Sequence, residues 1–169
     1  SVYNSMTSRL LVDKIEGKTT ANTIEMPSGS IIQVINAEND TNQASSSTSF
    51  VSTSVTATIS PKFASSKILV ICQTQLRQTT GSANGSHVVA QIHRGSTAIG
   101  QFIDHGTREL AGTGNTDNVA TGAILKVLDS PSTTSATTYT VHIKSLNSAC
   151  SVNINNNGGS SITLMEVAQ

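Results

Sequence analysis

Tryptophan is absent from this sequence, and the other aromatics are few: Tyr3, Phe50, Phe63, Phe102 and Tyr139. A sugar site that stacks a ring on an aromatic face is therefore hard to build, the more so because Phe50 and Tyr139 fit core positions. Charge is equally thin. Charged residues make up 12% of the chain, half the usual share of about 25%. Ten basic and ten acidic side chains cancel to a net charge of zero. Such a surface has no electrostatic footprint for phosphate backbones or anionic lipid, so neither nucleic acid nor a membrane is an expected partner. The first twenty residues hold one apolar run, Leu10-Leu11-Val12, too short for a signal-peptide core or a membrane span. A start at Ser1 is what removal of an initiator Met leaves, so a nearly complete chain made in a cytoplasm is expected. Only two cysteines are present, Cys72 and Cys150. Both fall in strand-like runs; buried free thiols are the expectation and a single bridge the alternative. The His, Cys and carboxylate spacings match no zinc template, and no metal or other cofactor is expected.

What replaces charge is hydroxyl: 25 Ser and 23 Thr among 169 residues. Such a composition would suit a disordered chain, except that the apolar residues arrive in dense β-branched runs. Thr itself belongs in strands, where its branched Cβ fits the pleated surface. At this length one domain can bury roughly 70% of its unfolded surface and needs no staple.

Residues 1–29 stand apart. They carry Arg9, Asp13, Lys14, Glu16, Lys18 and Glu25 and close on the turn Pro27-Ser28-Gly29. They read as an extended N-terminal arm or stem, and residues 30–169 as the folded head. In the head the apolar period is two. Val51, Thr53, Val55, Ala57 and Ile59 share one face, with Ser and Thr between them, until Ser60-Pro61 ends the strand. Tyr139, Val141 and Ile143 repeat the pattern, and Cys150, Val152 and Ile154 repeat it again. Further strands are expected at 30–37, 67–77, 87–94, 97–103, 119–128 and 161–168. Gly95-Ser96 makes a tight hairpin, and Asn155-Asn156-Asn157-Gly158-Gly159 supplies residues that tolerate positive φ. No window keeps a helical period over three turns; one short turn near 107–111 is the most that is expected. The fold class is all-β, an antiparallel sandwich of jelly-roll type.

Several strands break the alternation. Ile68-Leu69-Val70-Ile71-Cys72 is apolar on both sides, as are Ile31-Ile32 with Val34-Ile35, Ile124-Leu125 with Val127-Leu128, and Ile162 and Leu164 with Met165 and Val167. A sandwich strand buries one face only. Something must cover the other, either an arm of the same subunit or a second copy of the chain. We expect the second copy, with Leu69, Ile71, Ile124, Leu128, Met165 and Val167 at the subunit interface.

Catalytic machinery is hard to find. Four histidines are spread along the chain, and although His87, Val89, Gln91 and His93 share a strand face, a solvated or interface face is the simpler reading. Asp104, His105, Arg108, Glu109 and Asp117 fall in a stretch, 104–118, that reads as a long surface loop. Asp104 and His105 are adjacent, so in a strand they would point apart. His142 alternates with Thr140 and Lys144 and points outward. No nucleophile elbow, phosphate-binding loop or dinucleotide fingerprint occurs, and no catalytic residue is assigned. Glycosylation sequons at Asn39 and Asn84 mean little without a secretory signal. A glycan could be held only by polar loops such as 82–86 or 153–160, weakly per site and strengthened by multiple copies.

The segments Pro27-Ser28-Gly29-Ser30-Ile31-Ile32-Gln33-Val34, Ser66-Lys67-Ile68-Leu69-Val70, Leu128-Asp129-Ser130-Pro131 running into Ala136–Val141, and Ser161–Val167 resemble the fibre-like virion proteins of tailed phages. Leu11–Gly17 is similar to the short stem that precedes such modules. Strand order also resembles the trimeric jelly roll of the complement and tumour-necrosis-factor type. There an internal apolar strand, here 67–76, and the last strand, here 162–167, lie near the threefold axis; Ile, Leu and Met stand here in place of that family's aromatics. The resemblance implies a homotrimer on the virion surface, as a short fibre, a spike or a capsid decoration, docked to other virion proteins through residues 1–29. A host receptor or surface glycan is the alternative partner. Capsid or tail location stays open.

Overall fold

Hydroxyl and β-branched side chains on a two-residue period favour paired strands, and strands are what form. The computed structural model describes residues 26–79, 86–107, 118–156 and 158–169. Among them are ten strands and no helix: β1 (Ile31–Asn39), β2 (Gln43–Ser45), β3 (Val51–Ile59), β4 (Lys67–Thr79), β5 (Ser86–Arg94), β6 (Thr97–Thr107), β7 (Asn118–Asp129), β8 (Thr137–Ser145), β9 (Ser151–Ile154) and β10 (Ser160–Val167).

The strands make two antiparallel sheets. In the first, β4 is central. β7 runs along one side of it; β10 and then β9 share the other, with β1 outside β10 and β2 outside β9. The second sheet has the order β3-β8-β5-β6. Between β3 and β8 only the β5–β6 hairpin stays within one sheet, and every other connection crosses to the opposite layer. That is a jelly roll.

The core lies between the sheets. Ile68, Val70, Cys72 and Leu76 of β4 and Ile162 and Leu164 of β10 meet Val55 and Ile59 of β3, Ala90 and Ile92 of β5, and Tyr139, Val141 and Ile143 of β8. Burying one such aliphatic side chain contributes about 1.5–3 kcal/mol. Both cysteines are buried and free, and burial pushes the Cys72 thiol up to about 12.

Two polar clasps lie within this interior. Tyr139, fully buried, donates its hydroxyl to Asp129 Oδ2 at 2.8 Å, and Arg94 Nη1 meets the same carboxylate at 3.0 and 2.8 Å. Asp129 closes β7 while Arg94 and Tyr139 belong to β5 and β8, so the group ties one sheet to the other. At the end of β10, Glu166 is 0% exposed. Its Oε1 accepts the backbone N–H groups of Lys62 (2.8 Å) and Phe63 (3.2 Å), and its Oε2 accepts Gln33 Nε2 at 2.6 Å. It shares its buried strand face with the apolar Ile162 and Leu164.

Element boundaries differ from the sequence reading in a few places. β6 runs on to Thr107, so Asp104 and His105 lie in a strand instead of opening a loop. β2 is only three residues long, too short to show a period. Phe50 is not a core residue: it precedes β3 on the parity of Ser52 and lies on the outer side of the second sheet, against His93. The turn at Pro27–Gly29 forms, with Ser30 N–H donating to Pro27 O at 3.0 Å and Gly29 at φ +87°. Gly29 and Ser30 also exchange backbone hydrogen bonds with Ala168, each 2.9 Å. Residues 1–25 of the arm, the loop at 82–86 apart from Ser86, and residues 108–117 lie outside the described residues.

Candidate functional site

Each of the two sheets turns an outer face away from the core, and the two faces differ. On the first, cross-strand register sorts the side chains into rows. Val34, Met165, Leu69 and Leu128 stand opposite one another across β1, β10, β4 and β7. The next row is Asn36, Thr163, Ile71 and Lys126, and the one after it Glu38, Ser161, Gln73 and Ile124. On the other side of the apolar row, Ile31 and Val167 face Lys67. Directly opposed residues of an antiparallel pair share a face. The register therefore places Leu69, Ile71, Ile124, Leu128, Met165 and Val167 together on one outer surface, three of them in a single row with Val34.

Exposure follows the rows. Ile124 is 65% exposed, Leu128 54% and Val34 53%, while Leu69, Ile71, Met165 and Val167 are half-buried by their neighbours. Their sequence neighbours Ile68, Val70, Cys72 and Leu164 are fully buried inside. This is the physical content of the two-sided pattern: one set of apolar side chains fills the sandwich and the other faces out. Ile31 and Val34 belong to the same surface. The pattern Ile31-Ile32 with Val34-Ile35 was the signal for them, although a bulge between Ile31 and Gln33 shifts the register there.

The apolar rows end in polar ground. A cleft of about 440 Å³ opens beside Glu38, Asn39, Asp40, Gln73, Gly159 and the first residues of β10, Ser160 and Ser161. Its floor is held by a buried network: Asn155, at φ +61°, donates to Asn39 O at 2.9 Å, while Ser160 Oγ bonds Asn155 Oδ1 and reaches Thr74 Oγ1 at 2.6 Å.

On the second sheet the outer face is hydroxyl. Thr56 pairs with Thr140 at 2.9 Å and Thr58 with Thr138 at 2.8 Å. Toward β5 this gives way to imidazole. His93 and His142 stack face to face, with ring centroids 3.8 Å apart and planes 6° from parallel. Phe50 meets His93 edge-on at 5.7 Å, and Lys144 Nζ lies 4.8 Å from the centre of the Phe50 ring. Val89 is buried among the outward residues of β5, although it lies outside the main core. Desolvation lowers the proton affinity of both stacked rings, and the charge of His93 lowers that of His142 further. Ser96 backbone, outside hydrogen-bonding geometry, opposes the effect on His93 only in part.

His87 and Asp104, not Asp104 and His105, form the acid–base-like contact, at 2.7 Å across β5 and β6. Both are more than a third exposed. Among the described residues no group of three or more His, Cys, Asp or Glu could hold a metal ion.

No protein-family model and no curated protein matches this chain. Among solved structures, it is similar to a chain of infectious bursal disease virus, Gx strain, at 12% identity and a TM-score of 0.37, covering 97% of this chain and 42% of that one. It is also similar to the VP2 subviral particle of that virus, at 12% identity and a TM-score of 0.32, covering 81% of this chain and 37% of that one. A Gt-strain chain gives 13% identity and a TM-score of 0.26, with 97% and 41% covered. The chain thus spans less than half the length of the solved chains it resembles, and at these values the likeness assigns it to no family.

Proposed function

We propose that this chain is a structural, non-catalytic protein of a phage virion surface, and that it assembles as a homotrimer through the outer face of its first sheet. The row Val34–Met165–Leu69–Leu128 carries the reading. Contiguous apolar side chains turned to water are rare on proteins that work alone. A second copy is the cover that charge favours. Glu38 and Asp40 lie at the β1 side of the face and Lys126 at the β7 side, so a contact bringing β1 of one copy against β7 of the next sets opposite charges together. Contacts of this head-to-tail kind close into rings where the rotation between copies closes, and run on as filaments where it does not. Support for three copies comes from the strand order, which places β4 and β10 side by side at the centre of this face, as the trimeric complement and tumour-necrosis-factor type would require. On this reading residues 1–29 dock the head to other virion proteins.

Sedimentation of the purified chain at micromolar concentration should give three times the 17.5 kDa chain mass. Ile124→Lys with Leu128→Lys, chosen because both side chains are already largely exposed, should yield folded monomers. A wild-type monomer at that concentration refutes the assembly. Particles assembled with a chain lacking residues 1–26 should lack the protein; normal incorporation refutes the docking role.

A second reading, a host-receptor or glycan-binding module, draws on the polar cleft at Glu38, Asp40 and Gln73. It predicts that the purified protein competes with particles for host cells, and an absence of competition would remove it.

A further inference from the structure

We infer that the His93–His142 stack and Phe50 form an acid-operated clasp, in which proton uptake by the imidazoles releases the Phe50 segment from the outer face of the second sheet. The clasp lies on the sheet opposite the apolar face, and nothing in it depends on how copies assemble.

The geometry supplies the mechanism. Two rings 3.8 Å apart and nearly parallel are held by dispersion and by exclusion of water only while at least one is neutral. His93 sits in the centre of the group, 8% exposed, its ring nitrogens without hydrogen-bond partners among the described residues. A proton placed there finds no acceptor in hydrogen-bonding geometry, and the nearby Ser96 backbone offsets its cost only in part. It also faces His142 across the stack and Lys144 beyond Phe50.

The elements packed around the stack supply no charge that offsets it. Phe50 and Ser52, from the start of β3 and the residue before it, are not titratable. β8 contributes Lys144, a cation. β5 contributes His87, and β6 contributes Asp104, whose carboxylate is already engaged by His87 at 2.7 Å. Among the described side chains no free carboxylate faces the stack. Acid therefore adds like charges to a site that cannot neutralise them.

The weak point is the chain that carries Phe50. Residues 46–50 link β2 to β3, and most of their hydrogen bonds are local: Ser47 N–H donates to Ser45 Oγ at 3.1 Å, Ser47 Oγ donates to Ser49 O at 2.7 Å and accepts Ser49 N–H at 3.1 Å, while Ser47 O accepts Ser145 N–H of β8 at 2.8 Å and so ties the link to the second sheet. Once the stack parts, Phe50 loses His93 as its support and this link is free to lift.

The sign follows from linkage. Both imidazoles have lowered proton affinity in the folded state. The clasp is thus fully closed above the ordinary histidine range, about pH 6.5, and opens as pH falls below it.

Hydrogen exchange of the full chain at pH 7.5 and 5.0, expressed as protection factors to remove the intrinsic pH dependence, tests the clasp. Residues 47–53 and 138–144 should lose protection severalfold at pH 5.0. The double variant His93→Phe, His142→Phe keeps a stacked aromatic pair and should hold its protection at both pH values. His87→Gln should respond as the wild type does. Equal protection of the wild type at the two pH values overturns the clasp, as does an unchanged response in the double variant. A response abolished by His87→Gln also overturns it, by moving the sensor to His87–Asp104. Should the double variant not fold, the wild type still decides: His93 and His142 ring protons must titrate below the ordinary histidine range, about pH 6.5, in step with a shift of the Phe50 ring. Titration of the two histidines without movement of Phe50 refutes the release.

Discussion

Glu166→Gln is the substitution for which the structure makes the sharpest demand. It keeps the size of the side chain and changes only which atoms accept. The carboxylate is acceptor-only, and three donors converge on it: Lys62 N–H and Phe63 N–H at Oε1, and Gln33 Nε2 at Oε2. A glutamine must aim its amide NH₂ at one of these sides. Turned toward Lys62 and Phe63, it sets donor against two backbone donors that cannot rotate away. Turned toward Gln33, it forces that side chain to flip its own amide, and the hydrogen bond from Gln33 Nε2 to Ser60 O at 2.8 Å then becomes oxygen against oxygen. Neither arrangement satisfies every group. One unsatisfied buried group costs about 1–3 kcal/mol, and the loss of charge-assisted bonds adds to that. We expect a loss of about 2–3 kcal/mol. For a chain of this size each kcal/mol moves Tm by roughly 2–4 °C, so calorimetry at pH 7 should show a drop on the order of 4–12 °C. A change under about 2 °C would refute the claim that these donors require a carboxylate. Urea titration with an unchanged slope would confirm that the native state alone was affected.

Four further outcomes follow from other parts of the molecule. A double-mutant cycle of Tyr139→Phe with Asp129→Asn should give a coupling of about 1–2 kcal/mol, because a buried hydroxyl donates to a charged acceptor; additive losses would refute the inter-sheet clasp. Gly100→Ala should destabilise by about 1–3 kcal/mol in urea titration, since φ is +69° and the new Cβ would stand 3.0 Å from Val127 Cγ2. Cys72 should resist thiol reagents at pH 8 until the chain unfolds, because burial holds the thiol protonated; mass spectrometry after brief labelling reads this directly. Overall stability should fall on acidification below about pH 6.5, where the unfolded chain takes up protons that folded His93 and His142 resist, and His93→Phe with His142→Phe should flatten that part of the profile.

The strands were legible because their signal is local. Alternation at 51–59 and 139–143 needs no knowledge of what lies across the sheet, and the turns at Gly29, Gly95 and Asn155 announce themselves by residue type, each at positive φ. The doubly apolar runs showed which side chains face outward, since Leu69 and Ile71 must oppose Ile68, Val70 and Cys72 on the strand. What stayed hidden are contacts between residues distant in sequence. Glu166 pairs with Gln33 across 133 positions, and nothing in Leu164-Met165-Glu166 says that its carboxylate turns inward. Likewise His87 finds Asp104 only through the β5–β6 register. His93 and His142 are on strands that share no sequence signal, and they meet because β5 and β8 are neighbours. Phe50 was misplaced for a related reason: an aromatic beside a strand looks like core unless parity is carried back past the first strand residue.

The two outer faces carry opposite chemistry, and that asymmetry constrains any use the molecule is put to. A face of Val34, Leu69, Leu128 and Met165 gains by leaving water; a face of paired threonines, Thr56 with Thr140 and Thr58 with Thr138, has its hydroxyls already in mutual hydrogen bonds and little apolar area to gain from. If copies associate as proposed, the first sheet turns inward and the second is left toward solvent, with the imidazole cluster at its surface. The sandwich could not present these faces in the reverse sense without a one-residue slip in β4 and β10, which would move Ile68, Val70 and Leu164 outward and bring Lys67, Gln73 and Thr163 into the core. Orientation is thus set by the same parity that builds the core, so a substitution that alters assembly without harming the fold must come from the outward set, where Ile124 and Leu128 are the most exposed members of the proposed interface.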